Sequence, residues 1–156
     1  MIAIDTDVLL LAFAFHQDVR QSANTAFLQQ VQTAQPATTI YNVMEVLGQL
    51  SFNLTPERLD AWQSWLIDAY QLVVVWPLNP DVSTVTPSFY EEIFERPFTR
   101  MRTVKMLFMD ALILNLAERT PNVIQFVTWS ARHFQGKSTL DVLTPEAYLQ
   151  QVENNN

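Results

Sequence analysis

With 156 residues, 49% apolar and only 16% charged, the chain has the material for one filled core, which excludes intrinsic disorder and points to a single domain over residues 1–150. The absence of cysteine excludes disulfides, thiolate zinc sites and cysteine nucleophiles, and a reducing compartment, the cytoplasm, is the expected location. A net charge of −7 excludes a general electrostatic grip on nucleic acid, although a carboxylate cluster that repels phosphate when bare attracts it once divalent cations are bound.

In chain order, Ile2 to Ile4 reads as a short buried strand with Asp5 directly after it. The apolar run Val8 to Phe15 starts a helix. It is too short to span a bilayer, and Asp5 and Asp7 stand where a signal peptide would be positively charged, so no membrane association is expected. Ser22 to Val31 has helical spacing, Ala37 to Ile40 reads as a strand, and Val43 to Phe52 and Pro56 to Tyr70 read as helices. Strand Leu72 to Val75 follows, then a long helix from about Phe98 to Arg119, and strands at Ile124 to Val127 and Leu140 to Leu143. Residues 151–156 read as a frayed polar tail. Alternating strands and helices predict an α/β protein: a three-layer α/β/α arrangement around a mostly parallel sheet of about five strands. Gly48 and Gly136 form neither a phosphate loop nor a dinucleotide fingerprint, so nucleotide cofactors lack support.

In parallel sheets ligands sit beyond the carboxyl ends of the strands, and three acids are expected there. Asp5 emerges from the first strand, with Asp7 two residues on; the structural alternative makes one of them the N-cap of the helix near Val8. Glu45 lies just after the second strand, where Asn42, three residues before it, also fits a capping box. Asp110 shares its helical stripe with Met106, Ile113, Leu114 and Ala117, so its carboxylate requires a cation, either a metal or one of the nine Lys and Arg residues. Three converging carboxylates raise one another's pKa unless a cation occupies the space between them. Oxygen-only donors select Mg²⁺ or Mn²⁺, ions suited to phosphodiester hydrolysis.

The order of these strings resembles a known family. Ile-Ala-Ile-Asp5-Thr6-Asp7-Val-Leu-Leu, Asn42-Val-Met-Glu45-Val-Leu, Phe108-Met-Asp110-Ala-Leu-Ile, Thr128-Trp-Ser-Ala-Arg-His133-Phe and Thr144-Pro-Glu-Ala-Tyr-Leu together look like the PIN-domain nucleases, especially the toxin-type ribonucleases of bacterial toxin–antitoxin pairs. The resemblance implies that Asp5, Glu45 and Asp110 are acidic metal ligands, that RNA is the substrate, that an antitoxin protein is the partner and that the chain is a homodimer. The family's fourth acid follows Thr by two residues; here that position is Ser130, a neutral hydroxyl that supplies no charge for a second ion. A catalytically weakened module that binds nucleic acid or protein is therefore the alternative function.

Secondary candidates are Thr6, Asp7, Thr128, Ser130 and Arg132. Ser130 has a structural reading as a cap or turn residue after the strand. His133 reads as a general acid or a surface residue, and Trp129 as a base-stacking or a packing ring. Arg96, Arg100, Arg102 and Lys105 precede the Asp110 segment and could grip a phosphate backbone; the alternative is a solvated face paired with Glu91, Glu92 and Glu95, for instance Glu92 with Arg96 at i,i+4. A phosphotransfer receiver domain would also place Asp residues at strand ends and use Lys137, but leaves Glu45 and Asp110 unexplained.

Overall fold

The computed structural model describes residues 1–77 and 89–154. Five short strands form one sheet: β1 (Ile2–Ile4), β2 (Pro36–Thr39), β3 (Val73–Val75), β4 (Gln125–Val127) and β5 (Asp141–Leu143). Their order is β3-β2-β1-β4-β5, and every neighbouring pair is parallel. The expected architecture is therefore the observed one.

β1 lies at the centre because all three of its residues are apolar and buried, which only an inner strand covered on both faces allows. Alternate residues feed two separate cores. Ile2, Ile4 and Val127 pack with Val8, Phe27, Val43 and Leu66 on one face. Ala3, Phe126 and Val142 pack with Ile113, Leu114 and Phe134 on the other. The chain moves outward from β1 to β2 and β3, then crosses back to β4 and β5. That reversal opens a crevice at the carboxyl end of β1.

The covering helices are α1 (Thr6–Ala14), α2 (Gln21–Val31), α3 (Ile40–Leu50), α4 (Pro56–Asp60), α5 (Trp62–Tyr70), α6 (Arg96–Val104), α7 (Phe108–Arg119), α8 (Ala131–Phe134) and α9 (Pro145–Asn154). Two expected helices are each broken in two. The 56–70 segment interrupts at Ala61, whose ψ of 7° leaves the helical region. The long helix ends at Lys105, which turns left-handed at φ 55°, and restarts at Phe108 with Met106 buried in the second core. Neither break has the glycine or proline that would announce it. A turn of π-helix at Glu91–Glu95 precedes α6. Residues 151–154, read from the sequence as tail, are the last turn of α9, while 155 and 156 lie outside the described residues. Among the described residues no helix is long and apolar enough to cross a membrane.

Candidate active site

The expected acids gather around the carboxyl end of β1. Asp5 ends the strand, donates its backbone N–H to the Val127 carbonyl of β4 (3.0 Å) and is buried. It is also the N-cap of α1, its Oδ1 accepting from the Thr6 N–H at 2.8 Å. The cap expected near Val8 thus starts two residues earlier, and Asp7 is not the cap. Asp7 instead reaches across to the segment after β4, accepting from the backbone N–H groups of Trp129 (3.1 Å) and Ser130 (3.0 Å) and from the Thr128 hydroxyl (3.1 Å). That clamp fixes the β4–α8 turn against α1.

Asn42 joins the acids on the other side. The capping box of α3 is Thr39 with Asn42, so Glu45 is not its carboxylate and lies in the next turn, without a capping role. With its backbone N–H and Oδ1 used by Thr39, the fully buried Asn42 donates Nδ2 to both Asp5 Oδ1 and Thr6 Oγ1, each at 3.0 Å. Thr6 in turn donates its hydroxyl to Glu45 Oε2 at 2.6 Å. A chain of side-chain hydrogen bonds therefore runs Asn42, Thr6, Glu45 with Asp5 at its head, and each donor fixes the orientation of an acid. Asn42 is the positioning residue that sequence reasoning valued only as a cap. Its signal was an amide one turn before an acid at a helix start.

Asp110 enters from the first turn of α7, which packs against α3 and β2. It is half-buried and, among the described residues, accepts no hydrogen bond and makes no ion pair. The Arg or Lys salt bridge weighed as the structural alternative for Asp110 is thus not formed among the described residues. Burial is the first cause of its raised carboxyl pKa and the charge of Glu45 the second, while His133 and Lys137 are near enough to oppose the shift. Asp5 is pushed up from 3.8 to about 8, first by burial and then by Asp7, with Glu45 adding to it; the Thr128 hydroxyl and the Thr6 amide pull the other way. Such shifts mark acids held without compensation.

As they stand, no three of the acidic or histidine side chains among the described residues come close enough to hold one metal ion. The donor chemistry nonetheless fits a hard divalent cation: the carboxylates of the cluster offer oxygen, they repel one another, and among the described residues none has a Lys or Arg ion-pair partner.

The secondary candidates divide. Thr128 is buried and committed to Asp7. Ser130 stands at the N-cap of α8, but its hydroxyl caps nothing and makes no hydrogen bond among the described residues, which leaves it turned to no structural task. Arg132 and His133 are exposed on α8. Trp129 is used internally: its Nε1–H donates to Asn24 at 2.8 Å and the Arg20 guanidinium lies 5.5 Å from its ring centre.

Of the four basic residues before Asp110, Arg100 is tied to Asn115, Glu118 and the Lys137 carbonyl. Arg96 reaches Glu91 at 3.9 Å. The expected Glu92–Arg96 pair does not form, because the π-helical turn shifts the register and the buried Glu92 pairs with Arg119. Arg102 and Lys105 stay exposed.

No family model matches the sequence, and no curated protein matches it. Solved structures do. The VapBC2 complex of Rickettsia felis, bound to a DNA fragment from its promoter, contains a chain that is 15% identical, with a TM-score of 0.64 over 92% of this chain and 98% of that one. FitAcB from Neisseria gonorrhoeae gives 14% and 0.61, covering 93% of this chain and 98% of its own. A toxin–antitoxin complex from Klebsiella pneumoniae gives 18% and 0.57 with the same coverage, 93% and 98%. At such identities the likeness speaks for the backbone arrangement, and the chain therefore has a PIN-like fold of the kind found in toxin–antitoxin complexes.

Proposed function

We propose that this protein is a metal-dependent endoribonuclease, centred on Asp5, Glu45 and Asp110, that acts as the toxin of a toxin–antitoxin pair. The observation that supports it most is a set of acids at the carboxyl end of β1 without an ion-pair partner among the described residues, two of which, Asp5 and Asp110, are shifted upward by burial first and by neighbouring acids second. Asp5, Glu45 and Asp110 are the residues to hold Mg²⁺ or Mn²⁺. The chemistry that such a cation supplies is activation of water and neutralisation of charge on a phosphodiester during in-line attack.

The chain's own groups do the rest. Asn42 and Thr6 hold the Asp5 and Glu45 carboxylates in fixed orientations before substrate arrives. Asp7 holds the β4–α8 turn by accepting from the Ser130 N–H, which keeps Ser130 beside the cluster, and the exposed His133 is near enough to act on the Asp110 charge. RNA as the substrate rests on the family resemblance of the motifs, as do the homodimer and the cytoplasmic location. The toxin–antitoxin neighbours support an antitoxin protein as partner.

A cleavage assay on mixed RNA with Mg²⁺ or Mn²⁺ tests the reading: wild-type protein cuts, whereas Asp5→Asn and Asp110→Asn fold but do not. Equal cleavage by the variants would falsify it. The second reading, a weakened module that binds nucleic acid or protein, is favoured by Ser130 at the fourth acidic position and by the absence of a ready three-ligand group among the described residues. It requires that Mn²⁺ fail to bind even when RNA is present.

A further inference from the structure

A cleft of about 730 Å³ opens between α6, α7 and residues 136–139, the link from α8 to β5, and its volume is that of a small-ligand site. One wall of it is held in place. Arg100 donates to Asn115 Oδ1 (2.8 Å), to the Lys137 carbonyl (2.6 Å) and to Glu118, and Glu118 also accepts from the Ser138 hydroxyl (2.9 Å) and the Thr139 N–H (3.0 Å). Glu118 is thereby satisfied, and the 137–139 segment is fixed against α7. Two groups are left over. A guanidinium can only donate, so the amide oxygen of Asn115 faces Arg100 and Nδ2 faces away; that buried Nδ2 has no acceptor among the described residues, which is destabilising unless something supplies one. The other is the Lys137 amine, which reaches the Lys105 carbonyl at 3.3 Å and forms no ion pair among the described residues.

The placement of these two groups selects the ligand. Lys137 is near enough to Asp110 to oppose its charge, so the cleft opens beside the acid cluster. A chain of net charge −7 can hold a polyanion only locally. Four of its nine basic residues are in ion pairs, and of the other five all but Arg58 lie between residues 102 and 137. The remaining acids of the cleft, Glu91 and Glu95, stand more than two helical turns before Val104, toward its opposite end. An anionic ligand that also carries hydrogen-bond acceptors meets both leftover groups, whereas an apolar or cationic one meets neither. We infer that a nucleotide flanking the scissile phosphodiester occupies this cleft, with its phosphate on Lys137 and an acceptor of its base on Asn115 Nδ2. This rests on the nuclease reading, which puts the scissile bond at the acids, and adds the path by which the strand leaves them.

Fluorescence anisotropy of a labelled single-stranded RNA of mixed sequence, titrated with the protein in Ca²⁺ to neutralise the acids, reads binding, and a gel of the same samples reads cleavage. Lys137→Glu should weaken binding about tenfold, and Lys137→Ala should lower the slope of log affinity against log salt by about 0.7, the share of one phosphate contact on a single strand. Asn115→Asp keeps the acceptor for Arg100 and removes the donor, so it should also weaken binding about tenfold, with circular dichroism unchanged. Arg58→Glu, the same change of charge on α4 over the other core, should bind as wild type does. Equal losses in Lys137→Glu and Arg58→Glu overturn the inference, because net charge alone then accounts for them. So does a wild-type chain that binds no RNA, or a Lys137→Glu or Asn115→Asp protein that binds as tightly as wild type, and in that last case cleavage by wild type leaves the nuclease reading standing. Binding that depends on Lys137 and Asn115 in a protein that cuts no RNA in Mg²⁺ or Mn²⁺ removes the nuclease reading and keeps the cleft as a nucleotide site.

Discussion

Two ends of α7 treat charge in opposite ways. At its C-terminal end, against α6, two acids have basic partners: Glu118 with Arg100, and the buried Glu92, which also accepts from the Tyr41 hydroxyl, with Arg119. At its N-terminal end, Asp110 feels Glu45 and Asp7, with His133 and Lys137 near enough to oppose them in part, and the described residues offer this cluster of acids hydroxyls, amides and backbone N–H groups but no ion pair. The first arrangement is what folding alone asks of a half-buried charge. The second works against folding, and it persists where the parallel sheet opens its crevice. The contrast teaches where to look for function: at the acids left without an ion pair.

The largest effect should come from breaking the uncompensated end. Replacing Asp110 with Asn is expected to lower divalent-metal-dependent RNA cleavage by about a thousandfold, measured under single-turnover conditions, while the thermal midpoint stays equal or rises. A loss of both activity and fold would instead assign Asp110 to the structural class.

Breaking the compensated end should do the reverse. Arg119→Ala leaves Glu92 buried without its partner and should cost roughly 3 kcal/mol of stability in urea denaturation. Activity per folded molecule should be unchanged. An activity loss at full stability would erase the distinction between the two ends.

A smaller effect separates them by pH. Since the Asp5 carboxyl is raised from 3.8 to about 8, the folded chain holds its proton more tightly than the unfolded chain does. Stability is therefore favoured at low pH, declines as pH rises between those two values and levels off above the upper one. Asp5→Asn removes the decline and should be more stable than wild type at pH 8, in thermal or urea denaturation without metal. Parallel pH profiles for the two proteins would show that burial does not hold the proton on Asp5. The smallest change is expected from Ser130→Asp, which adds an acid to the same end and should tighten Mn²⁺ binding about tenfold by calorimetry.

Much of this was legible in the sequence, for identifiable reasons. Ile2–Ile4 was plain as a strand because a wholly apolar triplet ending in Asp has few other readings, and the strands on either side followed from their β-branched runs. Asp110 was legible because its apolar neighbours at helical spacing made a lone carboxylate conspicuous. The break at Lys105 was not, because a left-handed lysine carries no local signal; it results from the packing of Met106 and the docking of α7. The roles of Asp5 and Asp7 were partly exchanged, since an N-cap and a cross-strand clamp are both written as Asp followed by an apolar helix. Asn42 was missed as a positioning residue because its partners, Asp5 and Thr6, lie 37 and 36 residues away along the chain.

The central claim is that the acids at the carboxyl end of β1 are held for a divalent cation. Calorimetric titration of Mn²⁺ into wild type, Asp110→Asn and the control Arg119→Ala tests it most directly. The account requires binding by wild type and by the control, lost or greatly weakened in Asp110→Asn. Equal binding by all three proteins, or none by wild type even with RNA present, would contradict it.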